Sequence, residues 1–387
     1  MRMLNKKLGV IASHPIQYQA PIFRELGNMV ETHVFFAHDD TPEDQAAEGF
    51  GVGFQWDRDL TSNYNHTYLQ NNAKKPGFGR FYGCNTPEIS GIIRVESFDA
   101  FLLMGWNLYS YWQAIFACKT NNVPVMVRGD SHLGTPRRAM KQMLKRPLYL
   151  LMLKLFDRCL YVGERNKKYY LNYGIRENKL VFSPHAVDNT WFEQEVSNLS
   201  KSELRRKYGI HEDSRVVLFS GKLIKNKRPL DLIYAVEGLK EKHEVVYAGA
   251  GDQTSKIVAL AKKLNVKVRL LGFKNQSEMP AVYTIADILV LPSSSETWGL
   301  VVNEAMVCGI PVIVSDAVGC APDLIDPGET GDTYPVGDVR ALRNALCRIL
   351  GSTSEQPYAE MVRRKIRKYT PTIAAMGVVQ AMEGITQ

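Results

Sequence analysis

No stretch of this 387-residue chain is apolar over the roughly 18 residues that a membrane-crossing helix needs. The apolar run nearest the amino terminus, residues 8–12, is too short for the core of an export signal. It reads as a first buried strand, so the cytoplasm is the expected compartment. Cysteine is sparse and scattered: Cys84, Cys118, Cys159, Cys308, Cys320 and Cys347 form no C-x-x-C pair. That excludes a zinc or disulfide framework and leaves reduced structural thiols. No G-x-G-x-x-G follows the first strand, which argues against a nicotinamide-dependent oxidoreductase. No D-x-D stands just after a strand, so no metal and no cofactor is expected.

What is present is the material of two globular domains. Hydrophobic residues make up 45% of the chain, enough for a full core in each half. The net charge is +8, and residues 1–190 carry 23 basic against 17 acidic side chains. Such an excess fits an acidic substrate, an anionic membrane surface or nucleic acid, and is modest enough to carry no meaning of its own. Nucleic acid is not an expected partner.

Short β-branched runs alternate with helical patterns. Strands are expected at 7–13, 32–37, 100–104, 124–128, 159–162 and 180–183, then at 216–220, 244–248, 267–271, 288–291 and 312–314. Strands alternating with helices of about 10–15 residues mean βαβ units and parallel sheets. Residues 39–90, polar and Gly-rich, read as long loops and insertions. The polar stretch 193–203 reads as the linker. The fold class is therefore α/β, with two Rossmann-like domains facing across a cleft. Their expected bounds are 1–190 and 191–365, and helix 366–387 is expected to return to the first. Ligands of open parallel sheets bind beyond the carboxyl ends of the strands.

Residues 291–315, LPSSSETWGLVVNEAMVCGIPVIVS, carry the most chemistry. A strand ends, a Ser-rich loop follows, and a helix starts after Thr297, Trp298 and Gly299. The N–H groups near Trp298, Gly299 and Leu300 and the positive end of the helix dipole suit a diphosphate. Gly299 allows close backbone approach. Glu304, inside the helix, can accept both hydroxyls of a ribose, and Glu296, before it, can hold hydroxyls of a sugar. The bland alternative is a capping glutamate and a solvated one.

The flanks decide between these. E-T-W-G-L-x-x-x-E-A-M-x-x-G-x-P-V-I over residues 296–313 resembles the signature of the large retaining glycosyltransferase family usually numbered four, which has the GT-B fold. GKLIKNKRPLDLI from Gly221, AGAGDQ over 248–253 and the region from Phe156 to the PHAVD segment are similar to further family segments. The resemblance covers most of residues 120–350. It implies nucleotide-sugar donor binding by Gly221, Gly249, Gly251, Thr297, Trp298, Gly299, Leu300 and Glu304. It also implies a phosphate-binding pair in Lys222 and Lys227, whose charge would stabilise the leaving diphosphate in place of a metal. Lys225 and Arg228 are neighbours that complicate that assignment.

Family members often place a histidine after the strand at 124–128, which makes His132 the candidate near the anomeric carbon. Arg128 and Asp130 stand beside it. The loop after the first strand resembles a subgroup with H-P-I-Q-Y, which makes His14 and Gln17 acceptor candidates with Asp130. Pro184-His185-Ala186 departs from the family's Pro-Asn-Gly, and His185 receives no catalytic role. The expected catalytic set is His132, Lys222, Lys227 and Glu296. The resemblance implies hexosyl transfer with retention, from a UDP- or GDP-sugar to a glycan, lipid-linked or small-molecule acceptor, in polysaccharide biosynthesis. Residues 137–154, basic with interleaved leucines, read either as a basic surface helix or as a peripheral membrane contact. The rival functions are a sugar-nucleotide epimerase and a non-catalytic nucleotide-sugar or glycan-binding partner.

Overall fold

The computed structural model describes residues 4–39, 53–134, 139–239, 242–351 and 356–385. The first sheet contains β1 (Leu4–Ala12), β2 (Val30–Phe36), β3 (Asn65–Tyr68), β4 (Ala100–Leu103), β5 (Val125–Gly129), β6 (Arg158–Tyr161) and β7 (Leu180–Phe182). The second contains β8 (Arg215–Ser220), β9 (His243–Ala248), β10 (Lys267–Gly272), β11 (Ile288–Leu291), β12 (Val312–Ser315) and β13 (Gly331–Tyr334). Their orders are β3-β2-β1-β4-β5-β6-β7 and β10-β9-β8-β11-β12-β13, parallel throughout. This is the two-domain, Rossmann-like α/β fold of the GT-B type.

Alternation along β1 shows why these runs become strands. Leu8, Val10 and Ala12 join the core on one face of the sheet and Ile11 the core on the other. A parallel sheet covered on both sides demands apolar residues at successive positions. Gly9 makes room for the Phe101 ring, which a Cβ there would meet at 2.2 Å.

The chain divides into two units. One is built from residues 1–45, 59–186 and 370–387, the other from 46–58 and 187–369. Helix Pro371–Glu383 lies in the first unit, where Ala374, Ala375 and Val378 pack with Ile22, Phe23 and Leu26 of helix Ala20–Met29. Gly377 lets it close on β7, since a Cβ would stand 2.0 Å from the Phe182 carbonyl oxygen. Residues 53–58, which sequence order puts inside the first domain, pack within the second unit. Phe54 meets Phe273 at 4.4 Å between ring centroids. Asn275 Nδ2 donates to the Gln55 carbonyl at 2.7 Å. Arg58 pairs with Asp188 at 3.0 Å and lies 4.0 Å over the Trp191 ring.

Two sequence expectations change. Residues 39–90 are not all loop: Asn65–Tyr68 is the parallel edge strand β3, and a helix, Ile89–Glu96, begins at their end. The stretch 193–203 is not an extended linker, because helices Asn189–Ser197 and Lys201–Lys207 occupy it, capped by Asp188 and Ser200. Of the basic stretch 137–154, helix Ala139–Leu153 is seen, with Arg146 and Lys154 exposed beside Leu148 and Leu151. Residues 137 and 138 and the side chains of Lys141 and Lys145 lie outside the described residues. Among the described residues no helix is long and apolar enough to cross a membrane. No disulfide forms among the described residues; five cysteines are buried and Cys347 is exposed.

Candidate functional site

In the second unit β8 has neighbours β9 and β11, so strand order reverses between β8 and β11. Loops leaving the carboxyl ends of two such strands part and leave a crevice. The loops are residues 221–227 and 292–299, and both carry sequence-predicted residues. Gly221, Gly249 and Gly251 have φ of +135°, +153° and +158°. A Cβ on Gly249 would stand 1.9 Å from the Gly221 carbonyl oxygen, and one on Gly251 2.3 Å from that of Leu223. The turns after β8 and β9 are thus laced main chain to main chain. Gly221 N–H donates to Ala248 O at 2.9 Å and Leu223 N–H to Ala250 O at 2.8 Å.

The next turn brings charge together. Lys227 is ion-paired with Glu296, both side chains mostly buried. The same two loops are tied by Ser294, whose N–H and Oγ–H both donate to Asn226 O, at 2.8 and 2.9 Å. Arg228 instead binds Asp231 at 2.8 Å, and Lys225 is exposed. Lys222 is half-buried two residues past β8.

Gly299, at φ +101°, opens helix Leu300–Val307. Thr297 is exposed, while its carbonyl oxygen lies where a Cβ on Gly319 would meet it at 1.8 Å. Trp298, expected to serve through its main-chain N–H, turns its side chain inward. The indole is buried and donates to Asn303 Oδ1 at 2.8 Å, so only its main chain can serve a ligand. Glu304 lies one turn into the helix and accepts a hydrogen bond from Tyr283 Oη at 2.5 Å. Burial of the carboxylate pushes its pKa up to about 7, although the Tyr283 bond acts in the opposite direction. Tyr283 was missed from the sequence. It comes from helix Met279–Ile285, and no motif marks it.

The first unit gathers its candidates at the ends of β1, β5 and β7. His14 lies flat on Phe78, 4.0 Å between centroids, with Nδ1 at 3.0 Å from Ser13 Oγ. Gln17 is half-buried. His132 is buried and its Nδ1 accepts the Gly134 N–H at 3.1 Å, which puts the proton of the neutral ring on Nε2. Asn166 holds this loop through Ser131 O at 2.8 Å. Arg128 is buried and spent on structure, donating to Ser183 O at 3.2 Å and Pro184 O at 2.7 Å. His185, given no role from sequence, sits in this cluster. Its Nε2 is 3.9 Å from Asp130 Oδ2, and Tyr18 meets its ring edge-on at 5.6 Å. Burial first, then the nearby Arg128 cation, hold its pKa well below the usual histidine value. A histidine-alanine pair after Pro184, where asparagine-glycine was expected, was the available signal.

Known proteins share the family of the second unit's segment and the fold. Residues 200–369 match the family described as glycosyl transferases group 1. An uncharacterized glycosyltransferase of Methanocaldococcus jannaschii is 38% identical over 136 residues, covering 34% of this chain and 35% of the relative. A D-inositol 3-phosphate glycosyltransferase of Corynebacterium jeikeium is 28% identical over 248 residues, covering 59% and 56%. The chain thus matches only a third to just over half of the length of these relatives. Two solved structures share its fold. A glycosyltransferase of Rickettsia africae superposes with a TM-score of 0.75 at 18% identity, covering 99% of this chain and 100% of the other. Anabaena HepE in complex with UDP superposes with a TM-score of 0.75 at 15% identity, covering 98% and 99%. The laced glycine turns, the Lys227–Glu296 pair and the Glu304 helix all fall within residues 200–369, the segment that matches the family described as glycosyl transferases group 1.

Proposed function

We propose that the protein is a glycosyltransferase that moves a hexosyl group from a UDP- or GDP-sugar to a glycan, lipid-linked or small-molecule acceptor. Retention of configuration and independence from divalent metal are part of this reading. The observation that carries it is the meeting of Lys227 and Glu296 where strand order reverses, with Glu304 one turn into the adjoining helix. In this reading Glu304 holds the ribose hydroxyls, and the N–H groups around Gly299 hold the diphosphate. Gly221, Gly249 and Gly251 let the main chain pass close to it. Glu296 binds sugar hydroxyls. Lys227, with Lys222, stabilises charge growing on the β-phosphate.

The C1–O bond to the phosphate breaks while the bond to the acceptor oxygen forms on the same face. The acceptor proton passes to a β-phosphate oxygen. No carboxylate base is needed, because both placed glutamates serve the donor. His132 Nε2–H donates to a sugar hydroxyl, and His14, Gln17 and Asp130 are the acceptor-side groups. UDP bound to Anabaena HepE, a protein of the same fold, supports the choice of nucleotide.

Calorimetric titration of UDP and GDP tests the donor assignment. Glu304→Ala is expected to weaken the preferred nucleotide by about thirtyfold or more, as loss of one partner of a buried charged hydrogen bond does. Unchanged affinity would refute the ribose role. Proton NMR of the first product from an α-linked donor decides the stereochemistry: a β-linkage would overturn retention. Full activity in excess EDTA is the expected result for metal independence.

A further inference from the structure

Residues 69–86 are used by none of the steps above, yet they form a heavily anchored loop of the first unit. Gly77 N–H donates to Gly83 O at 3.0 Å, and a Cβ on Gly83 would stand 1.9 Å from Gly77 O, so the loop 77–83 closes on itself. Asn71 Nδ2 donates to Gly83 O at 2.9 Å, and its Oδ1 accepts the N–H of Asn85 at 2.9 Å. Gln113, from helix Tyr109–Thr120, accepts the Thr86 N–H at 2.8 Å and donates to Asn85 Oδ1 at 2.9 Å. Ser110 N–H adds a bond to Cys84 O at 3.2 Å. An irregular segment held at this many points is ordered in advance of any ligand.

What the loop presents outward is unusual for a protein surface. Tyr82 is 72% exposed and Phe81 41%. With Tyr109 they form a three-ring cluster, at centroid distances of 4.8, 5.5 and 6.0 Å. The rings brace one another by edge and tilted contacts, so their exposed surface is rigid. Lys74, Lys75 and Arg80 are exposed on the same loop and make no ion pair among the described residues. The inner side of the loop reaches the end of β1 through the His14–Phe78 stack, and Tyr109 opens the helix that follows β4. Strand order in the first sheet reverses between β1 and β4. The loop therefore stands where an open parallel sheet takes its ligand.

We infer that residues 74–82, with Tyr109, are a binding platform for a negatively charged sugar. This inference rests on the proposed transferase reading, and within it names the acceptor class. The face of a pyranose ring carries C–H groups of slight positive charge that fit the negative face of an aromatic ring. A carboxylate or phosphate on that sugar pairs with Lys74, Lys75 and Arg80. Prior ordering of the rings keeps the entropic cost of binding small. Hydrogen-bonding groups at the loop's inner side, His14 and His38, suit hydroxyls and have no use for a lipid chain.

The test is calorimetric titration at low salt with a hyaluronan tetrasaccharide and a tetragalacturonate, against neutral chitotetraose. The unmodified chain is compared with Tyr82→Ala and with the triple variant Lys74→Gln, Lys75→Gln, Arg80→Gln. At least one acidic oligosaccharide is expected to bind about tenfold tighter than chitotetraose. Tyr82→Ala is expected to weaken it about tenfold, and the triple variant to erase the preference for acid. Both variants change exposed side chains and are expected to keep the melting temperature. Failure of both acidic oligosaccharides to bind overturns the inference, as does unchanged affinity in Tyr82→Ala. Retention on phosphatidylglycerol vesicles that Tyr82→Ala alone abolishes would assign the loop to a membrane instead and also overturn it. Titrating UDP and GDP into the same samples separates the two readings: nucleotide binding without oligosaccharide binding sinks only the platform, and the converse sinks only the donor assignment.

Discussion

Where strand order reverses in the second sheet, Lys227 and Glu296 lock two short loops together. At the matching place in the first sheet, His14 lies on Phe78 and a ring of aromatic side chains faces outward. Both units use one architectural opportunity, a crevice beyond the carboxyl ends of parallel strands, and fill it with different chemistry. The second is compact, charged and dictated by a dense motif. The first is assembled from an irregular loop that the sheet does not require. Groups that must meet a diphosphate are constrained by its fixed charge and size. Groups that must meet a variable partner are not.

The greatest expected effect sharpens this contrast through two glycines with the same clash. A Cβ would stand 1.9 Å from a carbonyl oxygen at both Gly249 and Gly83. Gly249→Ala also strains a main chain at φ +153° between core strands. Together these should cost about 3 kcal/mol or more, a fall of roughly 10 °C in Tm. Gly83→Ala, in a surface loop, should lower Tm by less than half as much while changing the aromatic surface. Calorimetric melting of both variants checks the order; equal losses would mean the loop is as much a part of the core as the β8–β9 turn.

Next in size is the charge pair. Lys227→Ala should reduce kcat by about a hundredfold and raise KM far less, because its contact strengthens as the phosphate leaves. Arg228→Ala should stay within about threefold, since Arg228 is engaged by Asp231. Steady-state kinetics distinguish them, and similar losses would break the assignment of Lys227.

A pH effect follows. The Glu304 carboxyl is raised to about 7 by burial, above its ordinary 4.5. Its contribution to folding is therefore present in full below about pH 4.5 and lost as pH rises through 7 in the nucleotide-free protein. On the proposed reading nucleotide binding needs the ionised form, so affinity should strengthen several-fold between pH 6 and pH 8. Glu304→Gln should lose that gain and keep only the part due to the phosphates. Identical pH profiles would show that Glu304 does not meet the ribose.

The smallest effect concerns Trp298. Trp298→Phe removes a buried N–H from Asn303 and should lower stability by about 1–2 kcal/mol, with nucleotide affinity unchanged within about twofold. A large loss of affinity would put the indole back among the ligand contacts.

Much of the fold was legible because buried parallel strands are near-continuous apolar runs. The exceptions explain themselves. β3 is NHTY at a sheet edge, mostly exposed, with no apolar period to read. β13 is GDTY, equally mute, and is held by its register with β12. In the candidate site, Glu296, Gly299 and Glu304 were legible because one loop and one helix carry them all. Tyr283 was not, since its bond to Glu304 spans two helices and leaves no spacing in the sequence. The inward turn of the Trp298 indole was not legible either, because a motif position marks a residue without telling which way its side chain turns.

Residues 53–58 carry a last consequence, for anyone who would cut this protein in two. A fragment of residues 187–369 would keep Asp188, Trp191, Phe273 and Asn275 but lose the short peptide that covers them. It should be less soluble than its composition suggests, and a synthetic peptide of residues 53–58, added back in solution, is the missing piece that would restore it.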